Sequence, residues 1–324
     1  MFITPTPLAL YADYPNLLSS QCHILIEVEQ LVEQIIYRCG LKKYINASSK
    51  NELIFPELFY HQLLCSLYRY LSVYQLNYSY CEHYDALLYA CCQVGIIYND
   101  INSGLSYVFP ADIYQMYVLV EHIALYSKTI KFSRKLGDRA QRQKENCQRI
   151  TTFAQAMQQK YARILVCRVD LGYLHDYQHL VSMDMVIQHL QLLLKQMSYR
   201  LGLFANMKGY IWAIEQGVHK GYHTHLMVYF DGRCHQQGWY MSDQVGMLWK
   251  TITGSYGSYF NCHANKQRYI EMGIYGLDMI YRDDMKACAN AIHVASYLAR
   301  EDKTDQFLRC KPRRAKAIGM SLLA

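Results

Sequence analysis

Twelve cysteines contain no Cys-x-x-Cys pair, and the opening MFITPTPLALYADYPN has neither the basic start nor the cleavage site of an export signal. Those two absences argue against a secreted disulfide scaffold. The cysteines read instead as reduced core thiols of a cytoplasmic protein. The longest nearly apolar run, residues 86–98, is too short to cross a bilayer, so no membrane partner is expected. Internal repeats and low-complexity tracts are also lacking, which leaves ordinary globular domains.

What is present is apolar mass and unevenly placed charge. A hydrophobic content of 52% over 324 residues suffices for one large domain or two ordinary ones. Residues 1–127 hold 5 Lys/Arg against 11 Asp/Glu, whereas residues 128–324 hold 28 against 15. A basic region beside an acidic one is the asymmetry of a chain that handles a polyanion with one part of itself.

The spacing of Ile24, Val28, Leu31, Val32, Ile35 and Ile36 predicts an amphipathic helix, and similar patterns recur over 58–76 and 113–126. Residues 1–150 therefore read as a mainly helical accessory domain without a chemical motif. Its last part, 128–149, carries eight basic residues and few large apolar ones, which fits an exposed helix, a basic hinge or a phosphate-tracking arm. The domain boundary is placed near residue 150.

From 151 to 324 the periodicity changes. A buried strand over 162–170 is followed by a helix over 183–201. Two strands, 207–216 and 222–230, are joined by the turn GVHKG, and a helix over 241–252 leads into the strand SYFNC. This βαββαβ order predicts an α+β fold: an antiparallel, ferredoxin-like sheet with helices on one face. A further helix is expected over 283–300, with Asp283 and Asp284 as candidate caps.

The stretch GYHTHLMVYFDG, residues 221–232, raises a chemical question, because two imidazoles head a strand that looks ready for burial. Side chains alternate along a strand, so His223 and His225 share a face and Thr224 points the other way. A hairpin centred on His219 sets Glu215 opposite His223, bringing one carboxylate and two imidazoles together, a donor set suited to a divalent cation. Open positions on such a cation suit polarisation of a bound phosphate better than a closed structural zinc site. A cupin uses a comparable His-x-His but expects a Glu a few residues downstream, where Tyr229 and Phe230 stand.

The runs WAIEQGVHKGYHTHLMVYF, RVDLGY, GSYFNCHANKQRYIEMGIYG and ASYLAREDKTDQ, in that family's order, resemble the inovirus-type replication initiators of filamentous phages and prophages. These are similar in turn to the wider His-hydrophobic-His endonucleases, which nick single-stranded DNA with a tyrosine. The resemblance covers about residues 158–320. It implies that Glu215, His223 and His225 hold Mg²⁺ or Mn²⁺ and that Tyr297, in a Tyr-Leu-Ala-Lys-like motif, is the nucleophile. Two residues depart from the family pattern: Thr224 is not hydrophobic, and Arg300 stands where lysine is usual.

The implied reaction is metal-dependent nicking and rejoining of single-stranded DNA through a 5′-phosphotyrosine, as in initiation of rolling-circle replication. A phosphotyrosine ester retains the phosphodiester's bond energy, so a DNA 3′-hydroxyl can reverse the step. Unpaired origin DNA is the implied partner; the resemblance does not extend to residues 1–150, whose helical domain is a candidate for origin selection, for contact with a host helicase or polymerase, or for self-association. A plasmid relaxase or transposase could use the same site. A non-cleaving DNA-binding regulator, or a metal-binding protein that does not touch nucleic acid, are the rival classes.

Helical spacing sets His293 one turn before Tyr297, as a candidate proton acceptor, and Glu301 one turn after it. Arg300 and Lys303 are candidate phosphate clamps. Asp170, read as ending the first strand, is a candidate for orienting DNA or a metal-bound water, or for forming a turn. Five basic residues in the eight positions 309–316, Lys311, Arg313 and Arg314 among them, read as an electrostatic track for a strand backbone. Tyr256, Tyr259 and Phe260 are candidates for base stacking or for burial.

Overall fold

The three-four spacing of the first part and the alternation of the second give different architectures in a computed structural model that describes residues 6–7, 20–45, 54–100, 105–299 and 306–322. The first elements are β1 (Thr6–Pro7), α1 (Gln21–Ile45), α2 (Glu57–Leu71), β2 (Tyr78–Tyr80), α3 (Glu82–Gln93), β3 (Ile97–Asp100), β4 (Leu105–Val108), α4 (Ile113–Ser127) and α5 (Ile130–Lys160). Then come β5 (Arg163–Tyr173), α6 (Met183–Ser198), β6 (Met207–Gly217), β7 (Gly221–Asp231), α7 (Gly238–Ile252) and β8 (Gly257–Asn261). The last are α8 (Lys266–Glu271), β9 (Asp278–Tyr281), α9 (Met285–Ser296), β10 (Cys310–Pro312) and β11 (Ile318–Met320).

The chain divides into two compact units, Met1–Asp138 with Arg309–Arg313 and Arg139–Leu308 with Arg314–Ala324. Asp138 and Arg139 both lie within α5, so the basic stretch expected as an exposed helix or a hinge is helical from Ile130 onward. Ile150, Phe153, Ala154 and Met157, buried at three-four spacing, anchor the C-terminal half of that helix.

In the first unit Val28, Val32 and Ile35 of α1, Leu63 and Leu67 of α2, Leu87 and Ala90 of α3, and Leu119, Val120 and Ile123 of α4 are buried. Asp112 caps α4 by accepting a hydrogen bond from the Gln115 N–H at 2.8 Å, and the Gln115 side chain answers at the Asp112 N–H. Two antiparallel sheets, β1-β4-β3 and β10-β2, accompany the helices. Strands of two to four residues are too short for alternation to show in sequence.

The second unit is built on one antiparallel sheet in the order β11-β6-β7-β5-β8, with β9 also paired to β5. α6 and α7 cover one face. There the Tyr173 ring lies 5.7 Å from Trp249, and the Trp249 indole N–H donates to the Gly172 carbonyl at 2.8 Å. α5 and α9 cover part of the other face, where Phe153 sits 5.9 Å from Tyr229 in a cluster that includes Ile164, Ile211, Met227, Ala291 and Leu298. Helices on one face, as expected, is therefore corrected to helices on both. The reason is that α5 and α9 lie outside the βαββαβ run, so its pattern carried no signal for them.

All twelve cysteines are free thiols. Seven are buried, but Cys65, Cys92 and Cys234 are exposed rather than in the core. No described helix is long and apolar enough to cross a membrane.

Candidate metal centre

The turn between β6 and β7 ends at Gly221, whose φ of +60° is a left-handed conformation that costs glycine no Cβ clash. This turn sets the register: Gly217 pairs with Gly221, Glu215 with His223 and Ala213 with His225. On the other flank of β7, β5 places Asp170 opposite His225. Directly paired residues point to the same side of a sheet, so Glu215, His223, His225 and Asp170 share one face.

Glu215, His223 and His225 are all buried, and their ligand atoms lie within 4.8 Å of one another. The Glu215 Oε2 is 3.0 Å from His225 Nε2 and 3.5 Å from His223 Nε2. Both imidazoles are oriented from behind. His223 Nδ1 is 3.2 Å from the Gly221 carbonyl, which can only accept, so that nitrogen carries the proton. His225 Nδ1 is 2.6 Å from Asp170 Oδ1, the carboxylate-histidine arrangement that fixes the tautomer of a metal ligand. Both Nε2 atoms therefore face Glu215.

Donors about 2.0 to 2.2 Å from a common ion lie roughly 3.0 to 3.5 Å from each other, so these residues fit a divalent cation. The charge balance agrees. Burial disfavours the ionised form of Asp170, but His225 and Arg168 beside it hold its pKa well below the usual carboxylate range. Burial likewise opposes a charged His225, yet Asp170 and Glu215 raise its pKa above the ordinary value, so cationic charge is favoured where an ion would sit. Burial pushes the neighbouring Cys262 thiol up to about 12.

Tyr297 follows α9 directly, at the start of a 3-10 turn, Tyr297–Ala299, whose Leu298 and Ala299 are buried. Its side chain is 38% exposed, and its ring centroid lies 5.8 Å from the Arg168 guanidinium carbon. Arg168 reaches the triad in turn, with Nη2 3.4 Å from His225 Nδ1 and Nε 3.4 Å from Asp170 Oδ1. Arg168, assigned no part from sequence, thus lies between the Tyr297 ring and the Asp170–His225 pair. Arg168 and Asp170 are alternate residues of one strand and share a face by the same rule that joined the histidines, so the signal was available.

Asp170 does not end its strand: β5 continues to Tyr173, and Asp170 is paired on both sides, with His225 and with Phe260. A turn-forming role is corrected accordingly, since its carboxylate is committed to His225 and Arg168. His293 is exposed on α9, and among the described residues Arg168 lies over the Tyr297 ring. Asp284, not Asp283, caps α9, accepting from the Ala287 N–H at 2.9 Å. Arg300, Glu301 and Lys303 lie outside the described residues.

The C-terminal basic track is divided. Arg309 is buried and its Nε donates to Glu29 at 2.5 Å, and Lys311 is half-buried in β10 opposite Ser79. Arg313 and Arg314 are exposed but belong to different units. Of the candidate stacking rings, Tyr259 hydrogen-bonds Asp243 at 2.7 Å and Tyr256 packs on Tyr177 at 4.6 Å. Phe260 is 42% exposed on the face that carries Asp170. A groove of about 520 Å³ whose lining includes Lys160, Arg163, Arg233 and Arg282 as well as Asp231 and Asp283 lies at the opposite end of β5 from the triad, and Arg233 there is paired with Asp231 at 3.0 Å.

A second donor group, unseen in sequence, lies in the first unit, where Glu29 and Glu33 of α1 meet His83 of α3. Glu29 is bonded to Arg309 and His83 is 3.5 Å from Glu82, so the imidazole is ringed by carboxylates. A protonated His83 would balance them as well as a metal would.

Residues 126–314 match the family model described as the YagK/YfjJ C-terminal domain, a span that includes Arg168, Asp170, the triad and Tyr297. No curated protein and no solved structure matches the chain.

Proposed function

The chain belongs to the YagK/YfjJ C-terminal domain family, whose model covers more than half of it, and from that premise we propose that it is a metal-dependent single-strand DNA endonuclease that nicks and rejoins through Tyr297. The biological setting we infer is initiation of rolling-circle replication of a phage, prophage or related element in a bacterial cytoplasm. The observation that carries this reading is the pair of Nε2 atoms directed at Glu215, with Tyr297 beside Arg168, which in turn meets Asp170 and the Nδ1 edge of His225. The strand order β6-β7-β5-β8, with α6 and α7 as crossovers, supports reading the sheet as ferredoxin-like.

In this reading Glu215, His223 and His225 hold Mg²⁺ or Mn²⁺, which when bound supplies electrophilic activation of a phosphate. The Tyr297 hydroxyl oxygen bonds to phosphorus, the bond to the 3′-oxygen breaks, and a 5′-phosphotyrosine and a free 3′-hydroxyl result. The reverse attack by a 3′-hydroxyl reseals the strand. Exposed Phe260 offers a stacking surface on the same face. The buried donors and the exposed tyrosine suit unpaired DNA, whose backbone can bend toward the sheet.

The test is incubation with end-labelled single-stranded origin DNA and Mn²⁺. A denaturation-resistant protein-DNA band should form and should vanish in Tyr297→Phe and in Glu215→Gln. Tight binding without any adduct would replace the reading with a non-cleaving regulator. Absence of binding at moderate salt would point to a metal protein that does not handle nucleic acid.

A further inference from the structure

We propose that Arg168 is a positioning residue that fixes the Tyr297 ring relative to Asp170 and His225; this rests on the reading of Tyr297 as nucleophile and of Glu215, His223 and His225 as ligands. Arg168 sits two residues before Asp170 on β5, and its side chain is only 12% exposed. Its guanidinium has two engagements at once. One edge meets Asp170 Oδ1 through Nε at 3.4 Å, with Nη2 3.4 Å from His225 Nδ1, while its carbon lies 5.8 Å from the centre of the Tyr297 ring.

That arrangement answers a mechanical problem. The 3-10 turn is anchored by buried Leu298 and Ala299, while the Tyr297 side chain is more than a third exposed with Arg168 over its ring. A planar cation stacked near an aromatic face supplies direction as well as attraction, and burial of the guanidinium strengthens both. Asp170 makes the link specific, because the same carboxylate oxygen that orients His225 also receives Arg168. The tyrosine is thereby referenced to the ligand set. A lysine, with a compact point charge on a flexible stem, would hold Asp170 without aligning the ring.

The experiment uses the full chain labelled with ring-¹³C tyrosine and ¹³Cε1 histidine, with the Tyr297 signal identified by its loss in Tyr297→Phe. Added Mn²⁺ should broaden the His223, His225 and Tyr297 signals of the unsubstituted protein together. In Arg168→Ala the histidine signals should still broaden, whereas broadening at Tyr297 should fall several-fold, and Arg168→Lys should restore it only in part. Should Arg168→Ala not fold, Arg168→Gln, which keeps a donor for Asp170 and loses the charge, takes its place.

Equal broadening of Tyr297 with and without Arg168, or no broadening in the unsubstituted protein, would overturn the positioning role. On origin DNA, Arg168→Ala should slow adduct formation by roughly 100-fold, the scale expected for misplacement of a reacting group by about 1 Å, with little change in KM. A loss of Mn²⁺ affinity that accounts for the whole slowing would also count against it. Failure of the unsubstituted protein to form any adduct would remove the nuclease reading, and the Mn²⁺ broadening would still decide whether Arg168 places the ring.

Discussion

A carboxylate 2.6 Å from His225 Nδ1 determines which imidazole nitrogen is left for a metal. Replacing it tests the centre without removing a ligand. Asp170→Asn should weaken Mn²⁺ binding by about 10- to 100-fold, measured by calorimetry, the range typical for loss of such a partner. Thr224 offers the opposite kind of test. It is buried on the far face of β7, and its Oγ1 has no hydrogen-bond partner. Thr224→Val keeps the β-branched shape and removes the orphaned hydroxyl, so unfolding free energy should rise by about 1 kcal/mol in urea denaturation. At this scale Glu215, His223 and His225 were legible because a two-residue period and a short turn fix cross-strand neighbours. Asp170 was legible only as a candidate and its engagement with His225 was not, nor was that of Arg168 on the same strand face, because both depend on which strand lies on the other side of β7, and that pairing joins residues more than fifty positions apart.

Helix α7 lies against the sheet through a residue that has no side chain. A Cβ added at Gly246 would come within 2.2 Å of the Tyr259 ring, a rigid group held at its far end by Asp243. Gly246→Ala should therefore destabilise the chain by about 1 to 3 kcal/mol despite the better helix propensity of alanine, a cost readable as a lower melting temperature. The βαββαβ elements were legible to within a few residues, since each is long enough to show its period: β6 and β7 run eleven residues each. α3 was hidden inside what read as an apolar run, whereas the first part of α5 read as an exposed helix or a hinge and its continuation to Lys160 did not. In α5 the buried positions are confined to the C-terminal half, so only part of the helix announces itself.

The molecule as a whole should respond to acid through its buried and paired carboxylates. Burial raises the Asp278 pKa, but His263 at 3.0 Å, Lys266 at 2.8 Å and Tyr275 at 2.5 Å outweigh it and hold the group well below the usual range. Asp170 is held down in the same way by His225 and Arg168. A depressed carboxylate contributes stability above its unfolded pKa, near 3.9, and loses it as pH falls toward the folded value. The melting temperature should thus stay level from pH 7 to about 5 and drop below about 4. Asp278→Asn should lessen the drop; asparagine tolerates the left-handed backbone at this position, where φ is +68°, so the change isolates the charge.

The segment after Leu308 serves both units in turn. Arg309 bonds the buried Glu29 and β10 completes a sheet with β2, after which β11 adds the edge strand beside β6, with Gly319 set close against the Trp212 ring. During translation, neither half has all its strands until the ribosome has passed residue 313, and the sheet that carries the histidines waits until 320. A premature stop codon just after Leu308 would leave both halves short of a strand, so a gene fragment ending there should yield insoluble product rather than one intact domain.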